Sequence, residues 1–358
     1  MIKLKIICFL PVFGVKLLSL LFAFIFKRKS FMILPLIRTF LVIIVGTFSG
    51  YLCQKIIDKK NWMSPDSKKD ASIFLQKLAM LWLVSISYIG SLWIFKLESI
   101  IRIISLPFLG AFATIAGGYF AVTIAKYYNY KRIDIGSMFS CGFFSNNVTL
   151  GGMICFFYLG EDGYALVPIY TFLIRLIYYG IGFPIVHMYA NSAIVKNESI
   201  EKLIEVIKDP FFYVGIGSVL VGLFLNISNL QRPKIYASIN EIIIPFTTFI
   251  LLFSVGLTFK FSSVTRYIKE CFLISLVKFF MVPATMLIIT LLLGYQHISD
   301  GLPLKVSLIL SSMPVAFNSV IAANIYNLNI DLVNSCWIFT TFAVLLVLPL
   351  ILYVGGLF

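Results

Sequence analysis

The sequence predicts an all-α polytopic membrane protein, and three features of its composition and patterning point to that class. Of its 358 residues, 60% are hydrophobic and only 12% are charged, whereas a soluble domain has about 25% charged residues. Apolar runs near the roughly 20 residues needed for a spanning helix recur along the chain. These runs lack the alternation of apolar and polar residues that marks a transmembrane β-barrel. A soluble enzyme, a disordered chain and a β-barrel are therefore excluded.

Ten apolar runs form the predicted membrane core. The long polar connection 191–209 divides them into a first set of five over 31–190 and a second set over 210–358. Because each half has an odd number of spans, the second half would be inserted upside down relative to the first, and such inverted repeats are typical of secondary transporters. The runs lie at about 32–54, 71–95, 99–125, 136–159, 164–190, 210–229, 236–259, 267–294, 303–325 and 332–357.

Residues 1–30 form a separate apolar and basic segment ahead of this core. Lys5, Lys16 and Lys27 are spaced eleven residues apart, so a continuous helix would place all three on one face. This spacing suits an interfacial helix with its lysines towards lipid phosphates, an additional spanning helix or an uncleaved signal anchor. The sequence leaves these alternatives open.

The net charge of +14 is first a topological signal in a membrane protein, and it does not indicate a nucleic-acid partner. The loops after odd-numbered spans, with their flanking turns, carry fifteen Lys and Arg, and those after even-numbered spans carry four. By the positive-inside rule the odd loops are cytoplasmic, so both ends of the ten-span core lie on the outer side of the cell membrane. One basic run, KRK at 27–29, falls on the outer side in this orientation.

Spans four and nine, which occupy corresponding positions in the two halves, are the least regular. They read FSCGFFSNNVTLGGMICFFYLGED (139–162) and SLILSSMPVAFNSVIAANIYNLNID (307–331), with helix-unfriendly polar residues near mid-membrane in both. Pro314 removes a backbone donor and opens its helix, and the paired glycines Gly151 and Gly152 loosen the other. We therefore expect two broken helices that cross at the midplane.

The polar residues at these breaks are candidates for binding a substrate. Broken half-helices would direct their N-terminal amides and positive dipole ends at the midplane, where a carboxylate can bind. Asn146, Asn147 and Asn318 would supply hydrogen-bond donors and acceptors there. The alternative is that these residues hold helices together, since small and polar residues are common at membrane helix contacts.

Span four contains a resemblance to a known family. FSNNVTLGG (144–152) resembles the first crossover motif of the auxin efflux carrier family, roughly F-x-N-x-G-x-[IL]-G-x-P. Val148 and Met153 stand where that motif has its first glycine and its proline. The matching residues are Phe144, Asn146, Leu150 and Gly151.

The second half of the chain resembles the same family more closely. Residues 313–350 are similar to its carboxy-terminal region, and 242–259 to its seventh helix through Pro245 and Gly256. The matching positions in the carboxy-terminal region are Pro314, Asn318, Ala322, Ala323, Tyr326, Asp331, Thr340, Thr341 and Pro349.

The resemblance implies a ten-helix fold like that of sodium/bile-acid symporters and plant auxin carriers. Spans 1, 2, 6 and 7 would form a scaffold, and spans 3–5 and 8–10 a transport domain with spans 4 and 9 crossing at the site. Members of the family move organic anions such as auxin, malonate, malate and lactate.

Ionisable residues at membrane depth are costly and mark candidate functional positions. They are Arg38, Arg175, Glu241, Lys278 and Lys305. Arg175 lies near mid-span, where it could bind a substrate carboxylate or hold an internal polar partner. Glu241 and Lys278 are candidates for ion coupling, with charge neutralisation or packing as the alternative for each. The excess of positive groups favours an anionic substrate.

These features predict a secondary or facilitated carrier that exports small organic anions by alternating access around spans four and nine. An enzyme is not expected, because no H-E-x-x-H, G-x-S-x-G, D-D-x-x-D or P-loop motif is present. The isolated His187 and His297 and the scattered cysteines suggest neither a metal site nor a cofactor. A receptor that has lost transport on the same fold is the alternative. The lipid bilayer and the anion are the expected partners, and the sequence leaves a monomer and a homodimer open.

Overall fold

The computed structural model is helical, and within the residues that it describes no strand is formed beyond one isolated bridge. The described residues are 33–95, 103–190, 210–228, 230–257 and 265–354. The predictions for segment 1–30 and for linker 191–209 lie outside them. The α-helices are α1 Ile33–Lys59, α2 Pro65–Leu78, α3 Val84–Ile94, α4 Leu106–Tyr127, α5 Arg132–Phe143, α6 Gly152–Thr171, α7 Ile174–Ile177, α8 Phe183–Tyr189, α9 Pro210–Ile227, α10 Ile235–Gly256, α11 Ile268–Leu276, α12 Val282–Leu292, α13 Leu302–Ser311, α14 Phe317–Ile325 and α15 Ile330–Val354.

Three short π-helical turns join α2 to α3, α7 to α8 and α11 to α12, and a fourth leads into α6. Such turns widen the helix and are frequent at functional sites. The π-helical turns are Ala79–Leu83, Asn147–Gly151, Tyr178–Gly182 and Val277–Met281. Two 3₁₀ turns, Tyr295–His297 and Ser299–Gly301, lead into α13.

Seven helices of the described chain are long and apolar enough to cross a membrane. They confirm the prediction of an α-helical, multi-pass membrane protein. Predicted span four is divided between α5 and α6, and its second part falls with predicted span five in one candidate, Asn147–Tyr189, which contains Gly160 at a φ of 70°. Predicted span nine is divided between α13 and α14, and the apolar helix at predicted span six, Tyr213–Ile227, is shorter than the seven.

The described chain forms two compact units. In the first, which comprises 33–87 and 234–257, α1 packs against α10 through glycines. A Cβ atom added to Gly50 would lie 2.2 Å from the carbonyl oxygen of Phe253, and one added to Gly256 would lie 2.5 Å from that of Thr47. Small residues at such positions let membrane helices approach closely.

The second unit contains the remaining described residues, and α4 and α5 meet in it by backbone contact. A Cβ atom added to Gly117 would lie 2.3 Å from the carbonyl oxygen of Gly142, and one added to Gly142 would lie 2.3 Å from that of Gly117. No larger residue fits at either position without moving a helix. This contact fixes the last turn of α5, next to the break.

A polar cluster around Asn329, the Asn329 end, joins several loops of the second unit. The Asn329 side-chain amide donates to Asp134 at 2.7 Å and to the hydroxyl of Tyr267 at 3.2 Å. The hydroxyl of Tyr130 donates to Glu270 at 2.8 Å. Burial, together with this hydrogen bond, raises the pKa of the Tyr130 phenol, so it stays a donor well into alkaline pH.

A second cluster, the Arg232 end, joins other loops of the same unit. The Arg232 guanidinium binds both carboxylate oxygens of Glu161 at 2.9 Å and the carbonyl oxygen of Gly90 at 3.0 Å. The side-chain amide of Asn226 lies within hydrogen-bonding distance of three carbonyl oxygens at the end of α3, those of Leu92, Trp93 and Phe95.

Candidate functional site

The two helix breaks predicted from the sequence are present, and they lie against each other. We call this region, residues 144–147 and 312–316, the crossover. Phe144 and Ala316 have extended backbones, with ψ angles of 123° and 156°. Ser145 and Val315 form an antiparallel bridge. The flanking hydrogen bonds, both 3.0 Å, run from Asn146 N to Pro314 O and from Ala316 N to Phe144 O.

Side chains from neighbouring helices satisfy further backbone groups at the breaks, as buried irregular backbone requires. The Tyr178 hydroxyl accepts from the Ser145 N–H at 3.0 Å and donates to its carbonyl oxygen at 3.2 Å. The Thr340 hydroxyl accepts from the Val315 N–H at 3.2 Å. Ser319 donates to the carbonyl oxygen of Ser140 at 2.9 Å, which ties α14 to α5.

Aromatic packing holds the Tyr178 hydroxyl in place. The ring of Phe144 meets the Tyr178 ring edge-on, with centroids 4.7 Å apart, and Phe143 lies at 5.8 Å from it. Tyr178 begins a π-helical turn that ends at Gly182, where an added Cβ would lie 2.4 Å from the Phe143 ring. Tyr178 therefore positions the first break, a role that the sequence patterns did not assign to it.

Lys278 reaches the crossover from the π-helical turn between α11 and α12. Its ammonium group lies 2.7 Å from Gly142 O, 3.2 Å from Phe144 O and 2.6 Å from the hydroxyl of Ser145. The residue is only 1% exposed. These carbonyl groups belong to the broken C-terminal end of α5, where the helix dipole is negative. The predicted coupling candidate Lys278 thus stabilises the break directly.

The helix that restarts after the first break has its N-terminus capped by the side chain of Asn146. Asn146 Oδ1 accepts from the N–H of Leu150 at 3.5 Å and from the hydroxyl of Thr149. The neighbouring Asn147 is only 5% exposed, and its Oδ1 has no hydrogen-bond partner among the described residues. Of these two predicted binding residues, Asn146 acts as a helix cap and Asn147 presents an unused acceptor.

The helix that restarts after the second break has an open N-terminus. Ala316 is its N-cap residue, and its side chain supplies no hydrogen-bonding group. The side chain of Asn318, in the first turn of α14, is half-buried and makes no hydrogen bond to a described residue. The α14 N-terminus therefore keeps backbone donors and a positive dipole end free for an anion.

Gly151 and Pro314 shape the approach of the two broken segments. A Cβ atom added to Gly151 would lie 2.7 Å from Leu310 Cδ2 and 2.9 Å from Met313 Cγ, so a larger residue would require these side chains to shift. Pro314 supplies the carbonyl oxygen that accepts from Asn146. Pro314 therefore lies in the crossover, and Gly151 lies beside it at the end of the π-helical turn that follows the first break.

Arg175 lies on α7, three residues before Tyr178, whose hydroxyl contacts Ser145 of the crossover. Its guanidinium covers Gly215 of α9, where an added Cβ would lie 2.1 Å from its Nη1. The contact with α9 was not predictable from sequence spacing.

Glu241 belongs to the first unit, and there it interacts electrostatically with Arg38. The pair favours the charge-neutralising alternative for Glu241 over a coupling role. Both residues are partly buried, Glu241 in α10 and Arg38 in α1.

In comparisons with known proteins, the chain matches no protein-family model and no curated protein sequence.

Proposed function

We propose that the protein is a secondary-active or facilitated carrier for small organic anions that works by alternating access around the crossover. The observation that carries the proposal is the pairing of two broken helices through the Ser145–Val315 bridge. Broken helices at membrane depth are tolerated only where the backbone is buried in protein or lines a water-filled cavity, and in secondary transporters they form the substrate site. A purely structural helix bundle has no need of two such breaks in contact.

The two broken segments share two features, which support ten spans in two inverted repeats. Each segment passes from its break through a short helix to a residue with positive φ, Gly160 at 70° and Asn327 at 52°. Each break also receives a hydroxyl group from a later helical segment, through Tyr178 of the π-helical turn after α7 and Thr340 of α15.

The loop contacts of the second unit also support ten crossings. The Asn329 end joins segments that follow predicted spans three, seven and nine, and the Arg232 end joins segments that follow spans two, four and six. Alternate loops must lie on opposite sides if every predicted span crosses. The charge distribution then assigns the Asn329 end to the cytoplasm and the core termini to the outside.

The division into units resembles a scaffold and a transport domain. Predicted spans 1 and 7 and most of span 2 fall in the first unit, and spans 3–5 and 8–10 in the second. Span 6 falls in the second unit, which differs from the scaffold expected in the auxin efflux carrier family.

The charges at the crossover favour an anion over a cation. The partners of the buried Lys278 ammonium are two carbonyl groups and one hydroxyl, so no carboxylate of the described residues neutralises it. The open N-terminus of α14 adds a positive dipole end. We assign substrate binding to Asn318 and the α14 amides, with Asn147 Oδ1 accepting from a hydroxyl or a protonated group of the substrate. Arg175 is a second candidate for the carboxylate.

The membrane potential gives the carrier a direction. An uncompensated anion that crosses the membrane gains or loses about 2.3 kcal/mol per 100 mV. An inside-negative potential therefore favours export from the cell.

A binding screen followed by uptake tests this proposal. Purified protein is heated with mono- and dicarboxylates and indole acids, and the acids that raise its thermal midpoint are then offered as radiolabelled solutes to proteoliposomes. A carrier accumulates such an acid in a saturable way, and Asn318→Ala abolishes uptake with folding intact. Binding without uptake would favour the receptor on the same fold. If no acid raises the thermal midpoint and none is taken up, both the carrier and the receptor are refuted.

A further inference from the structure

The ammonium group of Lys278 is held in the way that a bound monovalent cation is held. Its three N–H donors face three oxygens at 2.6–3.2 Å, which are Gly142 O, Phe144 O and Ser145 Oγ. We call these atoms the oxygen cage. The side chain is only 1% exposed, so the cage replaces water entirely as the solvation of the charge.

The chemistry of the cage is that of a cation site in a carrier. Taking a charge out of water costs several kcal/mol, which must be recovered from its new partners. None of the cage atoms carries a formal charge, and the two carbonyls end the broken helix α5. Unwound carbonyl groups and the C-terminal ends of half-helices are the groups that coordinate Na⁺ in secondary transporters.

We propose that the Lys278 ammonium is the resident cation of the crossover and occupies a monovalent-cation site, so that transport proceeds without bound Na⁺. The inference rests on the proposed function for its consequence in transport, but the cation site can be tested without a substrate. It also predicts that removal of the Lys278 side chain leaves an oxygen cage that binds a small cation from solution.

The test uses purified Lys278→Ala and wild-type protein in ammonium, methylammonium, sodium or choline chloride at equal ionic strength. We expect the wild-type thermal midpoint to be the same in the four salts. The variant should melt several degrees lower in choline and recover in a saturable way with ammonium or methylammonium, because a ligand that binds the folded state stabilises it. Equal midpoints of the variant in all four salts would overturn the proposal.

Two control variants define the site of rescue. Lys305→Ala removes a half-buried lysine at the start of α13, outside the cage, and should show no cation-specific recovery. Adding Ser145→Ala to Lys278→Ala removes the hydroxyl ligand, and the concentration for half-maximal rescue should rise at least threefold. If Lys305→Ala recovers with ammonium in the same way, or if Ser145→Ala leaves the half-maximal concentration unchanged, the cation binds outside the oxygen cage and the proposal is refuted.

Lys278→Gln decides the question if Lys278→Ala does not fold. Its amide keeps two N–H donors but lacks the charge, so its thermal midpoint should still fall several degrees below wild type. A wild-type midpoint for this variant would overturn the proposal.

Transport separates this inference from the proposed function. With an acid that the wild type accumulates, uptake should be equal in sodium and choline and should fall at least tenfold in Lys278→Gln. Sodium-dependent uptake by the wild type would refute the resident cation. If the wild type accumulates no acid, the proposed function fails while the cation-rescue result still stands or falls by itself.

Discussion

The two crossover asparagines should respond differently to the same substitution, because only one of them is used within the fold. Asn146→Ala removes the acceptor that closes the helix after the first break, where Leu150 N and the Thr149 hydroxyl donate to it. Asn318→Ala removes a half-buried amide that makes no hydrogen bond to a described residue. The pair separates a structural role from a binding role.

The expected magnitudes follow from these contacts. Loss of a helix cap costs about 0.5–2 kcal/mol, and a buried donor left without a partner costs about 1–3 kcal/mol. Because the Leu150 contact is long, at 3.5 Å, we expect Asn146→Ala to destabilise the protein by about 1–2 kcal/mol. Asn318→Ala should change the stability by less than about 0.5 kcal/mol.

Denaturant unfolding of both variants in detergent measures the stability difference, and uptake of a carboxylate by proteoliposomes measures function. We expect both variants to lose uptake, but only Asn146→Ala to lose stability. The reasoning fails if Asn318→Ala is as destabilised as Asn146→Ala, since its side chain would then have a structural partner. Wild-type uptake by Asn318→Ala would refute the assignment of the site.

Three further substitutions test the contacts that hold the crossover and the Arg232 end. Tyr178→Phe removes both hydrogen bonds to the first break and should cost about 1–3 kcal/mol in unfolding free energy, measured by denaturant titration. Gly117→Ala would place a methyl group on the carbonyl oxygen of Gly142 and should cost about 1–3 kcal/mol or prevent folding, as read from the thermal midpoint and from size-exclusion chromatography. Glu161→Gln leaves the partly buried Arg232 without its counter-charge and should cost about 1–2 kcal/mol, measured by denaturant titration at two salt concentrations.

Each of these predictions has a contradicting result and a matched control. Tyr353→Phe, at an exposed position near the end of α15, is the control for Tyr178→Phe, and equal effects would refute the hydroxyl contact. Gly180→Ala adds a methyl group where no atom lies within 4 Å, so it should cost much less than Gly117→Ala. A Glu161→Gln protein as stable as wild type would show that the pair with Arg232 contributes nothing.

The helical class and the presence of a break in each of two spans were predictable from local sequence. Long apolar runs without alternation favour spanning helices, because an α-helix satisfies its backbone hydrogen bonds within one segment in lipid. Pro314 lies in the second break itself, three residues after α13 ends at Ser311. The first break was misplaced: Gly151 and Gly152 are helical, and the chain opens ahead of them, after α5 ends at Phe143.

The contacts between the breaks were less predictable, because they join residues far apart in the chain. Local patterns give no information on which side chain satisfies an opened backbone, so the role of Tyr178 was missed. Lys278 was recognised as a buried charge, but its partners are carbonyl groups, which every residue carries and no motif identifies. Glu241 and Arg38 were each predictable as ionisable residues at membrane depth, but the interaction between them was not.

The central claim is that the crossover carries an organic anion across the membrane. The most direct measurement is uptake of a radiolabelled carboxylate, selected by thermal shift, into proteoliposomes with an imposed potassium diffusion potential. The account predicts saturable uptake that an inside-positive potential accelerates, that an inside-negative potential slows, and that Asn318→Ala abolishes. Uptake that is insensitive to Asn318→Ala, or an absence of uptake for every acid that binds, would contradict it.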